Sequence, residues 1–93
     1  MDLVAVERAL SAGQFRFTGH AEEQMAKRQL AEADVRQALA SPDELLPVRE
    51  GRVVAHFMLG GYLLRVFIDV DRTPMEVVTA YRTSKIDRYR SGP

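Results

Sequence analysis

The chain contains no cysteine and no tryptophan, and only two histidines. Without cysteine there is no disulfide framework and no thiolate nucleophile; a zinc site would have to be built from His20, His56 and carboxylates alone, so no metal or other cofactor is expected. No apolar run approaches the 18 or so residues of a membrane span, and the opening Met-Asp-Leu-Val-Ala-Val-Glu-Arg returns to charge too soon for a signal-peptide core. A cytoplasmic protein with no membrane partner is the expectation. Net charge is also missing, because 13 basic residues balance 13 acidic ones. The balance is uneven along the chain: residues 1–51 hold nine acidic and six basic side chains, residues 52–93 four acidic and seven basic. The C-terminal half is the electropositive one.

What remains is 93 residues, 46% hydrophobic, enough for one domain over 1–93 with one modest core. Leu3, Val6 and Leu10 fall at helical spacing behind Asp2, a suitable N-cap, and Gly13 stops that helix. Gln14 to Phe17 alternates and reads as extended. Thr18 then caps a second helix carrying Ala21, Met25 and Arg28, ending near Gln29. Val35 and Leu39 mark the inner face of a third, ended by Ser41-Pro42-Asp43. From Leu45 the period changes to alternation over 45–49, 52–59, 62–70 and 75–82, with turns at Glu50-Gly51, Gly60-Gly61 and Asp71 to Pro74. The segment from Thr83 to Arg90 is compatible with a short helix capped by Thr83 or Ser84. The predicted fold is α+β, N-terminal helices packed on a four-stranded antiparallel sheet, with Leu64, Val66 and Ile68 central in the core.

Three features carry possible chemistry. Arg65 sits mid-way along the most apolar strand, on the face opposite Leu64, Val66 and Ile68, where a charge needs water or a partner; a wet sheet face explains it as well as a site does. The stretch Thr79-Ala80-Tyr81-Arg82-Thr83-Ser84-Lys85 collects hydrogen-bond donors suited to phosphate oxygens, although a strand end entering solvent is often polar. His20, Gln24 and Arg28 form one slanted stripe on the second helix, so an imidazole and a guanidinium can face one neighbour; an isolated surface or N-cap histidine is the commoner explanation.

In order, Phe17, His20, Ala21 and Arg28, then Asp34-Val35 to Ala38-Leu39, then Arg65 in its apolar strand, then Val77-Val78-Thr79-Ala80-Tyr81, the chain resembles the bacterial domain of unknown function 4258 family over about residues 15–82. That family is similar in size and element order to toxins of the RelE/ParE and BrnT kind. The resemblance implies such a toxin fold, cleavage of RNA without a metal, RNA or ribosome-bound mRNA as substrate, and a small acidic antitoxin as partner. His20, Arg28, Arg65 and Tyr81 are the catalytic candidates it implies: His20 for proton transfer, Arg65 and Arg28 for the phosphorane charge. Tyr81, a phenol, is a poorer base at neutral pH than a histidine. Thr79, Arg82, Lys85 and Arg88 are the RNA-binding candidates. Gln29 and Ala31 depart from the family's usual glycine and serine or threonine, which weakens a left-handed helix end and an N-cap.

The competing expectation is a non-catalytic module whose sheet docks a protein, as topoisomerase-poisoning relatives do, with Met58, Phe67 and Tyr81 as contacts. A helix-turn-helix reading of the second and third helices is weaker, since Glu32 and Asp34 at the start of the third repel phosphates.

Overall fold

Asp2 sets the first helix: its Oδ1 accepts from the backbone N–H of Val4 and Ala5, and α1 runs Leu3–Ser11. The computed structural model describes residues 1–91. Val6 and Leu10 point inward from α1, and the Ser11 hydroxyl donates to the Ala40 carbonyl at the end of α3. Thr18 caps α2 (Gly19–Lys27) through an Oγ1 that accepts from Ala21 N–H, and Ala21 and Met25 are buried. α3 spans Glu32–Ala40 and buries Val35, Ala38 and Leu39.

The connection between α2 and α3 is a Schellman motif: Leu30 N–H reaches the Met25 carbonyl at 2.9 Å, and Gln29 N–H the Ala26 carbonyl at 3.2 Å. Gln29 holds the left-handed position, φ 55°, that glycine fills without steric cost. The motif therefore survives without its glycine, anchored by the burial of Leu30. Ala31, the N-cap of α3, makes no side-chain cap bond.

Four antiparallel strands follow: β2 Glu44–Arg49, β3 Arg52–Leu59, β4 Tyr62–Asp69 and β5 Met75–Thr83. The sheet is nonetheless five-stranded and mixed, in the order β1-β5-β4-β3-β2, because the extended Phe15–Phe17 (β1) pairs in parallel with β5, Phe15 opposite Met75 and Phe17 opposite Val77. The four-stranded antiparallel expectation is corrected here. No turn links β1 to β5, which lie some sixty residues apart, so hairpin signals cannot reveal the pairing. An Arg16–Glu76 ion pair lies across it. After β5 comes a single helical turn, α4, Ile86–Tyr89. Lys85, not Thr83 or Ser84, stands at its N-cap; the Thr83 hydroxyl oxygen accepts from Lys85 N–H instead.

The helices cover one sheet face. Leu64, Val66 and Ile68 are fully buried there, with Val53, Ala55, Val77 and Ala80 from neighbouring strands and Leu10, Met25, Val35 and Leu39 from the helices. Tyr62, in phase with this face, is 49% exposed because it follows the Gly60-Gly61 turn beyond the helices. The opposite face is not simply wet: Val54, His56 and Leu63 are buried on it. Among the described residues, no helix is long and apolar enough to cross a membrane.

Two stability measurements follow. Val66→Ala or Ile68→Ala should cost roughly 2–4 kcal/mol and lower the melting midpoint by about 10 °C or more; an unmoved midpoint would reassign the core face. Gln29→Gly should instead stabilise by about 1 kcal/mol in chemical denaturation, since it removes the side-chain penalty at a left-handed φ; a destabilised variant would show that the Gln29 side chain contributes more than the strain costs.

Candidate functional site

Register across the sheet brings four polar residues into one row. Glu44 pairs with His56, His56 with Arg65, and Arg65 with Tyr81, so a line about 14 Å long crosses β2, β3, β4 and β5 on the face opposite the helices. Asp43 secures its first rung: its N–H donates to the His56 carbonyl at 2.8 Å, and its Oδ2 accepts from Met58 N–H at 2.7 Å.

The row is hydrogen-bonded end to end. Arg65 Nε donates to His56 Nε2 at 3.0 Å, and an Arg65 terminal nitrogen donates to the Tyr81 hydroxyl at 2.5 Å. A guanidinium has no acceptor, so Nε2 must be the bare nitrogen of the imidazole. His56 Nδ1 then carries the proton and donates to Glu44 Oε1 at 2.7 Å. Glu44 is closed from outside by Ser91, whose N–H donates to Oε1 at 3.1 Å and whose hydroxyl donates to Oε2. Burial works to raise the Glu44 pKa, but the hydrogen bonds from Ser91 and His56 outweigh it and hold the carboxyl at about 2. His56 is 1% exposed, so it acts on any ligand only through Arg65.

Aromatic rings surround the Arg65 guanidinium. Its carbon lies 4.0 Å from the Tyr89 ring centre, 5.1 Å from that of Phe67 and 5.6 Å from that of Tyr81. Phe67 and Tyr81 themselves stack, centres 6.2 Å apart and planes 16° from parallel. Arg28 arrives from the end of α2. β1 pairs only with Met75 to Val77, and beyond it Arg28 donates to the Ala80 carbonyl at 2.9 Å and the Thr79 hydroxyl at 3.2 Å, with its guanidinium 6.0 Å from the Tyr81 ring.

Arg28, Arg65, Thr79 and Tyr81 are thus brought together from α2, β4 and β5; Arg88 is exposed, its guanidinium 5.5 Å from the ring of its chain neighbour Tyr89. Other candidates are not. His20 is exposed at the opposite end of α2, about 12 Å along the axis from Arg28, with no side-chain hydrogen bond among the described residues. Arg82 pairs opposite Leu64, on the helix-covered side, and lies against Tyr62 at 5.7 Å. Lys85 is exposed, bound through its backbone alone. Glu44, His56, Tyr89 and Ser91 belong to the cluster although nothing in the spacing of the sequence singled them out as a group. Among the described residues, no three His, Asp or Glu side chains converge as metal ligands would, and every buried side-chain nitrogen or oxygen has a partner.

The family model for a domain of unknown function (DUF4258) matches residues 17–82, a span that runs from the end of β1 to Arg82 and includes Arg28, Arg65, Thr79 and Tyr81. The chain belongs to this family. No curated protein and no solved structure matches it.

The depressed Glu44 carboxyl makes stability depend on acid. Its folded-state pKa lies below the ordinary 4.5, so the stabilisation is complete above pH 4.5 and is lost as the pH falls toward 2. Full conversion of the shift gives roughly 3 kcal/mol, and solvent screening at a side chain 18% exposed reduces it to about 1–2 kcal/mol. Asp69, held low by the hydrogen bond from Arg52 against the opposing effect of burial, adds to the same trend. The stability gap between wild type and Glu44→Gln should therefore narrow between pH 4.5 and 2. A pH-independent gap would mean that the Glu44 charge does not stabilise the row.

Proposed function

We propose that this chain is the toxin of a bacterial toxin–antitoxin pair, with a fold of the RelE/ParE and BrnT kind, and that it cleaves RNA without a metal. The carrying observation is the meeting of Arg65, Arg28 and Tyr81, the Arg65 guanidinium 2.5 Å from the Tyr81 hydroxyl and Arg28 against the same ring. In this reading the ribose 2′-hydroxyl attacks the adjacent phosphorus and the 5′-oxygen leaves, giving a 2′,3′-cyclic phosphate. Arg65 and Arg28 stabilise the extra negative charge of the phosphorane, and Tyr81 hydrogen-bonds a phosphate oxygen or stacks a base. His56 and Glu44 orient Arg65 from behind. His20 is the proposed proton carrier, which requires the bound RNA to run along α2. Thr79, Arg82, Lys85 and Arg88 contribute to RNA affinity. A short acidic antitoxin would neutralise the arginines.

A second reading, a non-catalytic module that docks a protein, is favoured by one observation: Arg65 has two of its N–H donors engaged by His56 and Tyr81 and one face covered by Tyr89.

Partner-free protein in chelator should cut single-stranded RNA and leave the cyclic phosphate. Arg65→Ala should lose about 10²–10³-fold in rate, the size of one missing transition-state donor. It also leaves His56 Nε2 unpaired, so thermal unfolding is measured alongside, and Arg28→Ala, which leaves the row intact, serves as the second variant. His20→Ala should cost about 10²–10⁴-fold and alter the pH–rate profile near neutrality if it carries a proton. Wild-type protein that neither cuts RNA, alone or on ribosomes, nor slows growth would overturn the enzyme reading in favour of the docking module.

A further inference from the structure

The segment after β5 returns across the polar row and closes it. Two contacts hold it there: the Tyr89 ring on the Arg65 guanidinium at 4.0 Å, and Ser91 on the Glu44 carboxylate through its N–H and its hydroxyl. Its own fold contributes little. α4 is one turn long, far below the length at which a helix is stable by itself, its N-cap Lys85 makes no side-chain cap bond, and none of its residues is buried.

The segment is basic. Lys85, Arg88 and Arg90, offset only by Asp87, are exposed along it, and its Tyr89 rests on Arg65. A basic segment beside a guanidinium draws anions to this end of the row. The Arg65–Tyr89 pair is also the tightest arginine–ring contact among the described residues. A ring held on a guanidinium plane is how single-stranded RNA bases are held, so Tyr89 occupies the position a base would take.

We infer that Tyr89 and the segment through Ser91 are a built-in occupant of a nucleobase-stacking subsite on Arg65, displaced when single-stranded RNA binds. This rests on the RNA-binding part of the proposed function and not on cleavage. A base replaces the Tyr89 ring on Arg65, Ser91 leaves Glu44, and Lys85, Arg88 and Arg90, already exposed, move with the segment and meet phosphates. Affinity for RNA is then reduced by the fraction of time the segment is docked.

The test uses the full chain and a short fluorescent oligonucleotide with a non-cleavable 2′-O-methyl backbone, read by anisotropy. Tyr89→Ala/Ser91→Ala should bind about tenfold tighter than wild type, the gain expected if the segment is docked about nine-tenths of the time, and adding Arg65→Ala should remove the gain. In wild-type protein, the Tyr89 ring resonances should move toward free-tyrosine values as the oligonucleotide is added, a readout that needs no variant. If the double variant binds equally or more weakly while wild type binds well, or if Tyr89 stays on Arg65 in the complex, the inference is overturned and the RNA-binding reading stands. Should neither protein bind the oligonucleotide at any salt concentration down to low ionic strength, the RNA-binding reading itself is overturned, and the inference with it.

Discussion

The bond from Arg65 Nε to His56 Nε2 is the constraint around which the second face of the sheet is organised. A guanidinium in the middle of a β-strand loses much of its water on folding and must recover hydrogen bonds nearby. By donating one to the imidazole, Arg65 fixes the tautomer of His56, and the remaining His56 proton then demands an acceptor, which Glu44 supplies. Glu44 in turn draws Ser91 inward. One charge thereby couples four strands and the segment that follows them. A change at either end alters how firmly the guanidinium is held.

The row also separates tasks among its members. His56 and Glu44 lie behind, where they can hold but not touch. Tyr81 closes the other end, and Arg28, from outside the row, lies 6.0 Å from its ring. Rigidity of this sort is what a site for a planar or anionic ligand requires, since side chains already held in place lose little freedom on binding.

Much of this was legible in the order of residues, and the failures have identifiable causes. The caps Asp2 and Thr18, the strand boundaries and the Leu64, Val66 and Ile68 face follow from local chemistry that the structure repeats. The two-residue Gly60-Gly61 turn also implies His56 opposite Arg65, by counting back from Leu59 opposite Tyr62, and that signal was there to be used. Glu44 was different. Counting back from Arg49 opposite Arg52 puts Leu45 beside His56; the irregularity between Pro47 and Arg49 adds one residue and brings Glu44 there instead. A similar shift between Phe67 and Ile68 decides which β5 residues face Arg65. Bulges and the β1–β5 pairing depend on the folded sheet as a whole, as does the return of Tyr89 over Arg65. Four-residue spacing puts His20, Gln24 and Arg28 on one helix stripe, yet helical rise alone separates His20 from Arg28 by about 12 Å.

The parallel pairing of β1 with β5 ties the beginning of the chain to its last strand. During synthesis, α1, β1 and α2 leave the ribosome long before Met75 to Val77, the strand segment with which β1 pairs. Until then Ala21 and Met25 have an apolar stripe but no β5 to cover it. The final closure of the sheet must wait for residues 75–77, so a chain interrupted before residue 75 retains an exposed hydrophobic surface and an unpaired strand, the kind of species that chaperones and proteases recognise.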